Sequence, residues 1–179
     1  RFIYGPGYFL SENPETQAVT DSAYVDNILF RSGADGSEVY GLVVDQVFLN
    51  NQSSALNDTL RSVHITGNKI RELSINDDSE NLLINKNFIE QFNFASTGLI
   101  NTSRSYQDIF IENNIIDTVT TALAKATAAR NVMSNVEFNR NTINVFTDSI
   151  ENAQLNNNII NNNQSTNNTA NGNIGYGAA

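Results

Sequence analysis

Residues 63–70 read Val63-His64-Ile65-Thr66-Gly67-Asn68-Lys69-Ile70. Val63 and Ile65 alternate as the inward side of a β-strand does. Ile70, however, lies five residues beyond Ile65, and an odd separation puts two strand residues on opposite faces. A bend of about two residues, one of them left-handed, resets that parity. Asparagine tolerates the left-handed region better than any residue except glycine. Gly67-Asn68 is therefore a corner between two strands.

The same frame, apolar-x-apolar-x-x-Asn-x-apolar, recurs along the chain. It fits 82–89 with Asn87, 109–116 with Asn114, 136–143 with Asn141 and 153–160 with Asn158. An earlier copy, 42–49, carries Val47 in the asparagine slot. Helical repeats keep a nearly constant length because every helix packs on the next. These slots are unevenly spaced, which suits stacked coils of strands with one fixed corner and insertions at the others. Coils stacked about 4.8 Å apart put Asn68, Asn87, Asn114, Asn141 and Asn158 in one column. Each amide can then donate to the carbonyl oxygen of the next. Val63, Leu82, Ile109, Val136 and Ala153 form an apolar column beside them.

The composition agrees. The chain has 179 residues, 30 of them Asn and only 2 Pro. Asparagine is poor in helix interiors and good at turns. A net charge of -9 argues against nucleic acid and anionic membrane as partners. With no cysteine, neither disulfides nor thiolate metal sites hold the fold. No apolar run is long enough to cross a bilayer. The expected organisation is all-β. Residues 1–38 form an irregular opening segment or a degenerate first coil, 39–163 a solenoid of about six coils with an internal Asn ladder, and 164–179 a tail. Two longer coils carry insertions, one within 90–108 and an Ala-rich one at 118–131 that reads as a short helix or an extra strand-loop. Neighbouring insertions on a solenoid commonly build a binding face.

Over residues 40–162 this pattern resembles the right-handed parallel β-helix proteins of the pectin-lyase-like superfamily. These include pectate lyases, alginate and chondroitin lyases and epimerases, and phage tailspikes. The resemblance implies a right-handed parallel β-helix, and for function it implies carbohydrate. The Arg-x-Pro-Arg of pectate lyases and the Asp-Pro-His-Asp of alginate epimerases are both missing.

The register also assigns outward columns. One is His64, Leu83, Phe110, Glu137 and Gln154; the next is Thr66, Asn85, Glu112, Asn139 and Asn156; a third is Arg71, Glu90, Asp117, Asn144 and Asn161. Amides, carboxylates and an aromatic suit a polyhydroxylated ligand, with Phe110, Asn85, Asn139 and Arg71 as binding residues. The candidate catalytic pairs are Glu90 with Asp117, one coil apart and near the roughly 5 Å that retaining glycosidases use, and Glu112 with Glu137, diagonal neighbours on adjacent coils. Solvated surface is the competing reading of both pairs. Tailspike glycosidases, which the chain resembles in fold, place acidic pairs in a groove or between subunits. Asp77-Asp78-Ser79-Glu80 reads as a solvated turn, so no metal and no cofactor are expected. The expected function is recognition of cell-surface polysaccharide by a receptor-binding spike or fibre segment, a homotrimer on a virion tail or cell surface. A polysaccharide-degrading glycosidase or lyase and an autotransporter adhesin passenger are the alternatives. Neither nucleic acid nor membrane insertion is expected.

Overall fold

The computed structural model describes residues 1–5, 23–31, 33–49, 59–76, 78–95, 105–122, 132–147, 153–164 and 169–175. These residues form seventeen strands and no helix. The first sheet stacks β1 (Phe2–Tyr4), β3 (Glu38–Tyr40), β6 (His64–Thr66), β8 (Ser79–Asn85), β10 (Ser105–Glu112), β12 (Val132–Asn139), β14 (Gln154–Asn156) and β16 (Thr169–Asn171), in that order. A short β5 (Leu60–Arg61) also pairs with β8. The second sheet stacks β2 (Tyr24–Phe30), β4 (Val43–Leu49), β7 (Lys69–Ile75), β9 (Phe88–Ala95), β11 (Ile115–Ala122), β13 (Thr142–Phe146), β15 (Ile159–Asn163) and β17 (Ile174–Gly175). Every pairing is parallel. Apart from β5, successive strands alternate between the sheets and each pairs one coil on. That is a parallel β-helix, with eight levels among the described residues.

The repeat frame maps onto it with its register intact from Val63 to Ile160. Ile65, Ile84, Ile111, Phe138 and Leu155 share one inward column. Ile70, Ile89, Ile116, Ile143 and Ile160 share another. All ten are buried. Midway along the helix the interior is aromatic. Phe138 meets Phe92, Phe94 and Phe146 edge-on, with ring centroids 6.1, 6.5 and 5.3 Å away.

The asparagines make the expected ladder. Asn68 donates through Nδ2 to Asn87 Oδ1 (3.1 Å), and the same bond runs from Asn87 to Asn114, Asn114 to Asn141 and Asn141 to Asn158, each at 3.0 Å. Each Oδ1 also accepts the backbone N–H of the preceding ladder residue. The second amide hydrogen reaches a strand carbonyl of the preceding level, as from Asn114 to Ile84 O at 2.9 Å. All five side chains are buried with their polar atoms paired, as buried polar groups must be.

Three features depart from the sequence reading. The sixth copy is misframed, because Leu42 rather than Val47 occupies the ladder slot. The Leu42 N–H donates to Asn68 Oδ1, and Val44 pairs with Ile70. Leucine carries no amide that would mark the slot in the sequence. The ladder also continues beyond 163, into residues expected to be a tail. Asn158 donates to Asn173 Oδ1 at 3.0 Å, between β16 and β17. Finally, the left-handed residue of the corner is the one before the ladder asparagine. Gly67 (φ 65°), Lys86 (56°), Asn113 (54°), Arg140 (57°), Asn157 (55°) and Gly172 (64°) all occupy it. The ladder asparagines are there for their amides, not for their backbone tolerance.

A second left-handed column, Ser62, Asn81, Asp108 and Asn135, bends the first sheet. It explains why buried Tyr106 and Ile109 are separated by an odd number of residues. Residues 118–122 of the Ala-rich insertion belong to β11; residues 96–104 and 123–131, the rest of both insertions, lie outside the described residues.

One prediction follows from the corner. A non-glycine residue in the left-handed region costs about 1–2 kcal/mol, partly offset by the stiffer unfolded chain it provides. Lys86→Gly therefore stabilises the fold by about 0.5–1 kcal/mol, raising Tm by about 1–4 °C in a calorimetric scan. The reverse change at Gly67 is costly for a second reason, since an added Cβ would lie 2.9 Å from Tyr40 Cε2. A lowered Tm for Lys86→Gly would show that its side chain supports the corner.

Candidate functional site

The solenoid brings the named residues together as two groups on different faces. Glu112, Glu137, Phe110, Asn85 and Asn139 lie on the outer face of the first sheet, on β8, β10 and β12. Phe110 pairs with Leu83 on one side and Glu137 on the other, and Glu112 lies between Asn85 and Asn139. Alternation within each strand turns these side chains outward, because Ile109, Ile111, Val136 and Phe138 between them face the core.

The geometry here is specific. Asn139 Nδ2 donates to Glu137 Oε2 (2.8 Å) and to Glu112 Oε1 (3.3 Å). One amide thus bridges both carboxylates, whose facing oxygens lie within about 6 Å of each other. Arg140 Nη2 approaches Glu112 Oε2 at 3.8 Å, a contact the sequence reading missed. Its left-handed backbone breaks the alternation that would otherwise predict its side-chain direction. The amide column continues downward, from Asn156 Nδ2 to Asn139 Oδ1 (3.0 Å) and from Asn171 Nδ2 to Asn156 Oδ1 (3.3 Å). Above it, Tyr4 and Tyr40 occupy the same column, edge to face at 6.4 Å. Tyr4 donates to Glu38 Oε2 at 3.0 Å, and that hydrogen bond, with some desolvation, raises its pKa above the usual phenol value.

Glu90, Asp117 and Arg71 lie together on the second sheet, where the pairing skips one residue per level and the strands bend. Asp117 Oδ1 accepts from Asn144 Nδ2 at 2.9 Å. Arg71 is engaged by Asp45, to which it donates through both Nε and Nη2. Misframing the second coil hid Asp45 from the sequence reading. It precedes Arg71 by 26 residues, the same separation that divides Leu42 from Asn68. The hydrogen bond from Arg71, with its charge and against some desolvation, holds the Asp45 carboxyl below the usual aspartate value.

A pH dependence follows. Because folding lowers the Asp45 pKa, the stabilisation is complete above the unfolded aspartate value near 3.9 and is lost as pH falls through the lowered one. Urea titrations of Asp45→Asn should show a shallower loss of stability in acid than the parent. An unchanged acid limb would mean the pair does not respond to folding.

Among the described residues, no group of three or more His, Asp or Glu side chains could hold a metal ion, and no helix is long and apolar enough to cross a membrane. No family model matches the chain, and neither the curated proteins nor the solved structures returned a match.

Proposed function

We propose that this chain is a section of a β-helical spike or fibre, of the pectin-lyase-like tailspike type, that recognises cell-surface polysaccharide. The observation that carries this reading is the outer face of the first sheet. Hydrogen-bonding amides and carboxylates repeat there once per level, in register beside the half-buried Phe110. Sugars present hydroxyls that donate and accept and C–H faces that stack on rings, so an amide column beside an aromatic matches both. A long parallel solenoid is also rigid, which lowers the ordering cost of binding an extended chain. The setting is a homotrimer on a virion tail or cell surface.

The test is an array of microbial surface polysaccharides probed with the protein and with Phe110→Ala and Asn139→Ala. Binding is expected to at least one polymer, and Phe110→Ala weakens it by about tenfold. Equal binding by all three proteins would move the site away from this face.

A second reading is favoured by one specific observation, the amide shared by Glu112 and Glu137. The two bonds to one nitrogen keep their facing oxygens within about 6 Å, short of the roughly 6.5–9.5 Å gap of inverting glycosidases. If the protein cleaves its glycan, Glu112→Gln and Glu137→Gln each abolish turnover, Glu90→Gln does not, and the first-formed product keeps its anomeric configuration. Product release followed by NMR reads all three.

A further inference from the structure

Resting on the reading of the first sheet as a glycan-binding face, we infer that the glycan carries no acid groups and runs over the lower levels, Asn139 to Asn171. Every described residue from Asn141 to Gly175 is uncharged. The sequence over this span carries Asp148 and Glu151 between β13 and β14, while the strands β13 to β17 themselves hold no charged residue. The outer face there presents Gln154, Asn156, Asn157, Asn171 and the end of Asn139, all at least partly exposed.

Each of these amides retains bonding capacity. A carboxamide has two donor hydrogens and two acceptor lone-pair sites. Along the column, Asn156 uses one hydrogen on Asn139 Oδ1 and one acceptor position for Asn171 Nδ2. One donor and one acceptor thus remain on the partly exposed Asn156, and Asn171 keeps its Oδ1 as acceptor, whereas Asn139 has given both hydrogens to Glu137 and Glu112. A hydroxyl both donates and accepts, so it satisfies such a pair fully, whereas a carboxylate or phosphate oxygen only accepts. The repeat of about 4.8 Å is also close to the advance per residue of an extended pyranose chain.

The levels above the amides oppose an acidic ligand. Arg140 lies beside Glu112, Arg61 is bonded to Glu80 at 3.0 Å, and on the other sheet Arg71 is held by Asp45. His64 approaches Glu38 at 3.6 Å. The three arginines are each matched by a neighbouring carboxylate, while Glu137 adds a further negative charge bonded to an amide. On the outer face of β10 and β12 a uronate or phosphate repeat would therefore meet the net negative charge of Glu112, Glu137 and Arg140, screened over a Debye length of about 8 Å.

The experiment uses the same protein on polysaccharides sorted into uncharged repeats and repeats bearing uronate, sialate or phosphate. Binding is expected among the uncharged repeats, with Kd changing less than about twofold between about 0.05 and 0.5 M salt. The double change Gln154→Ala with Asn156→Ala lowers affinity by about tenfold or more, and Asp26→Asn, exposed on β2 of the second sheet, leaves it unchanged. The salt series on the unaltered protein stands independently of whether the variants fold. Binding confined to acidic repeats overturns this inference and leaves the glycan-binding reading standing. Binding to no polysaccharide overturns both. Affinity for uncharged repeats that survives the double change in a folded variant overturns the placement on the lower levels.

Discussion

Replacing Asn114 by alanine costs the fold about 3–5 kcal/mol, a large fraction of the total stability of a domain this size. Asn114 sits at the centre of the ladder. Its Oδ1 accepts from Asn87 N (2.9 Å) and Asn87 Nδ2 (3.0 Å), and its Nδ2 donates to Ile84 O (2.9 Å) and Asn141 Oδ1 (3.0 Å). Two of these partners have other bonds to fall back on. Asn87 Nδ2 still reaches Ile65 O at 2.8 Å, and Asn141 Oδ1 still accepts Asn114 N at 2.9 Å. The Asn87 N–H and this contact of Ile84 O are lost inside a site that is 1 % exposed. Each such loss costs roughly 1–3 kcal/mol, and the cavity adds to it. Asn114→Asp separates donor from acceptor roles. An ionised carboxylate keeps both acceptor bonds but faces Ile84 O and Asn141 Oδ1 with no hydrogen to donate. Burial and those two oxygens favour the protonated acid, which restores one donor, so this variant is less destabilised near pH 4 than at pH 7. Urea denaturation at the two pH values decides both points. A loss below about 1 kcal/mol for Asn114→Ala would mean the ladder follows from the backbone pairing instead of supporting it.

The second large effect is at Phe138. Its ring lies against three other phenylalanines, Phe92 and Phe94 from β9 and Phe146 from β13, and is fully buried. Removing it leaves a void between the sheets that rings held by parallel backbone pairing cannot close. Phe138→Ala therefore destabilises by about 3–5 kcal/mol, and Phe138→Leu by about 1–2 kcal/mol. The neighbours of Phe138 in β12 are Glu137 and Asn139, which face outward. A loosened β12 should thus also weaken glycan binding, in a variant whose outer face is chemically unchanged. Thermal unfolding followed beside the polysaccharide array tests both parts. Retained affinity in a strongly destabilised Phe138→Ala would show that the face does not depend on the core beneath it.

The corner and the ladder were legible in the sequence because each is a short-range pattern. Val63, Ile65, Asn68 and Ile70 lie within eight residues, and their order alone separates inward from outward positions. The first two outward columns of the candidate site followed from the same frame and match the strand register. The carboxylate contacts did not follow. Arg140, Asp45 and the bridging role of Asn139 depend on which side chains from different coils meet at a bend, and a repeat frame carries no distances.

Parity, corner and column were thus determined by the chain itself, since a strand's two-residue period and an asparagine's amide are properties of a few adjacent residues. The tertiary structure alone decided how the levels align. The ladder slots are separated by 26, 19, 27, 27, 17 and 15 residues. Closing a longer loop costs little more than closing a shorter one, so the lengths between levels are nearly free to vary. The bonds between levels therefore place Leu42 over Asn68 and Asn173 under Asn158, where spacing along the chain could not.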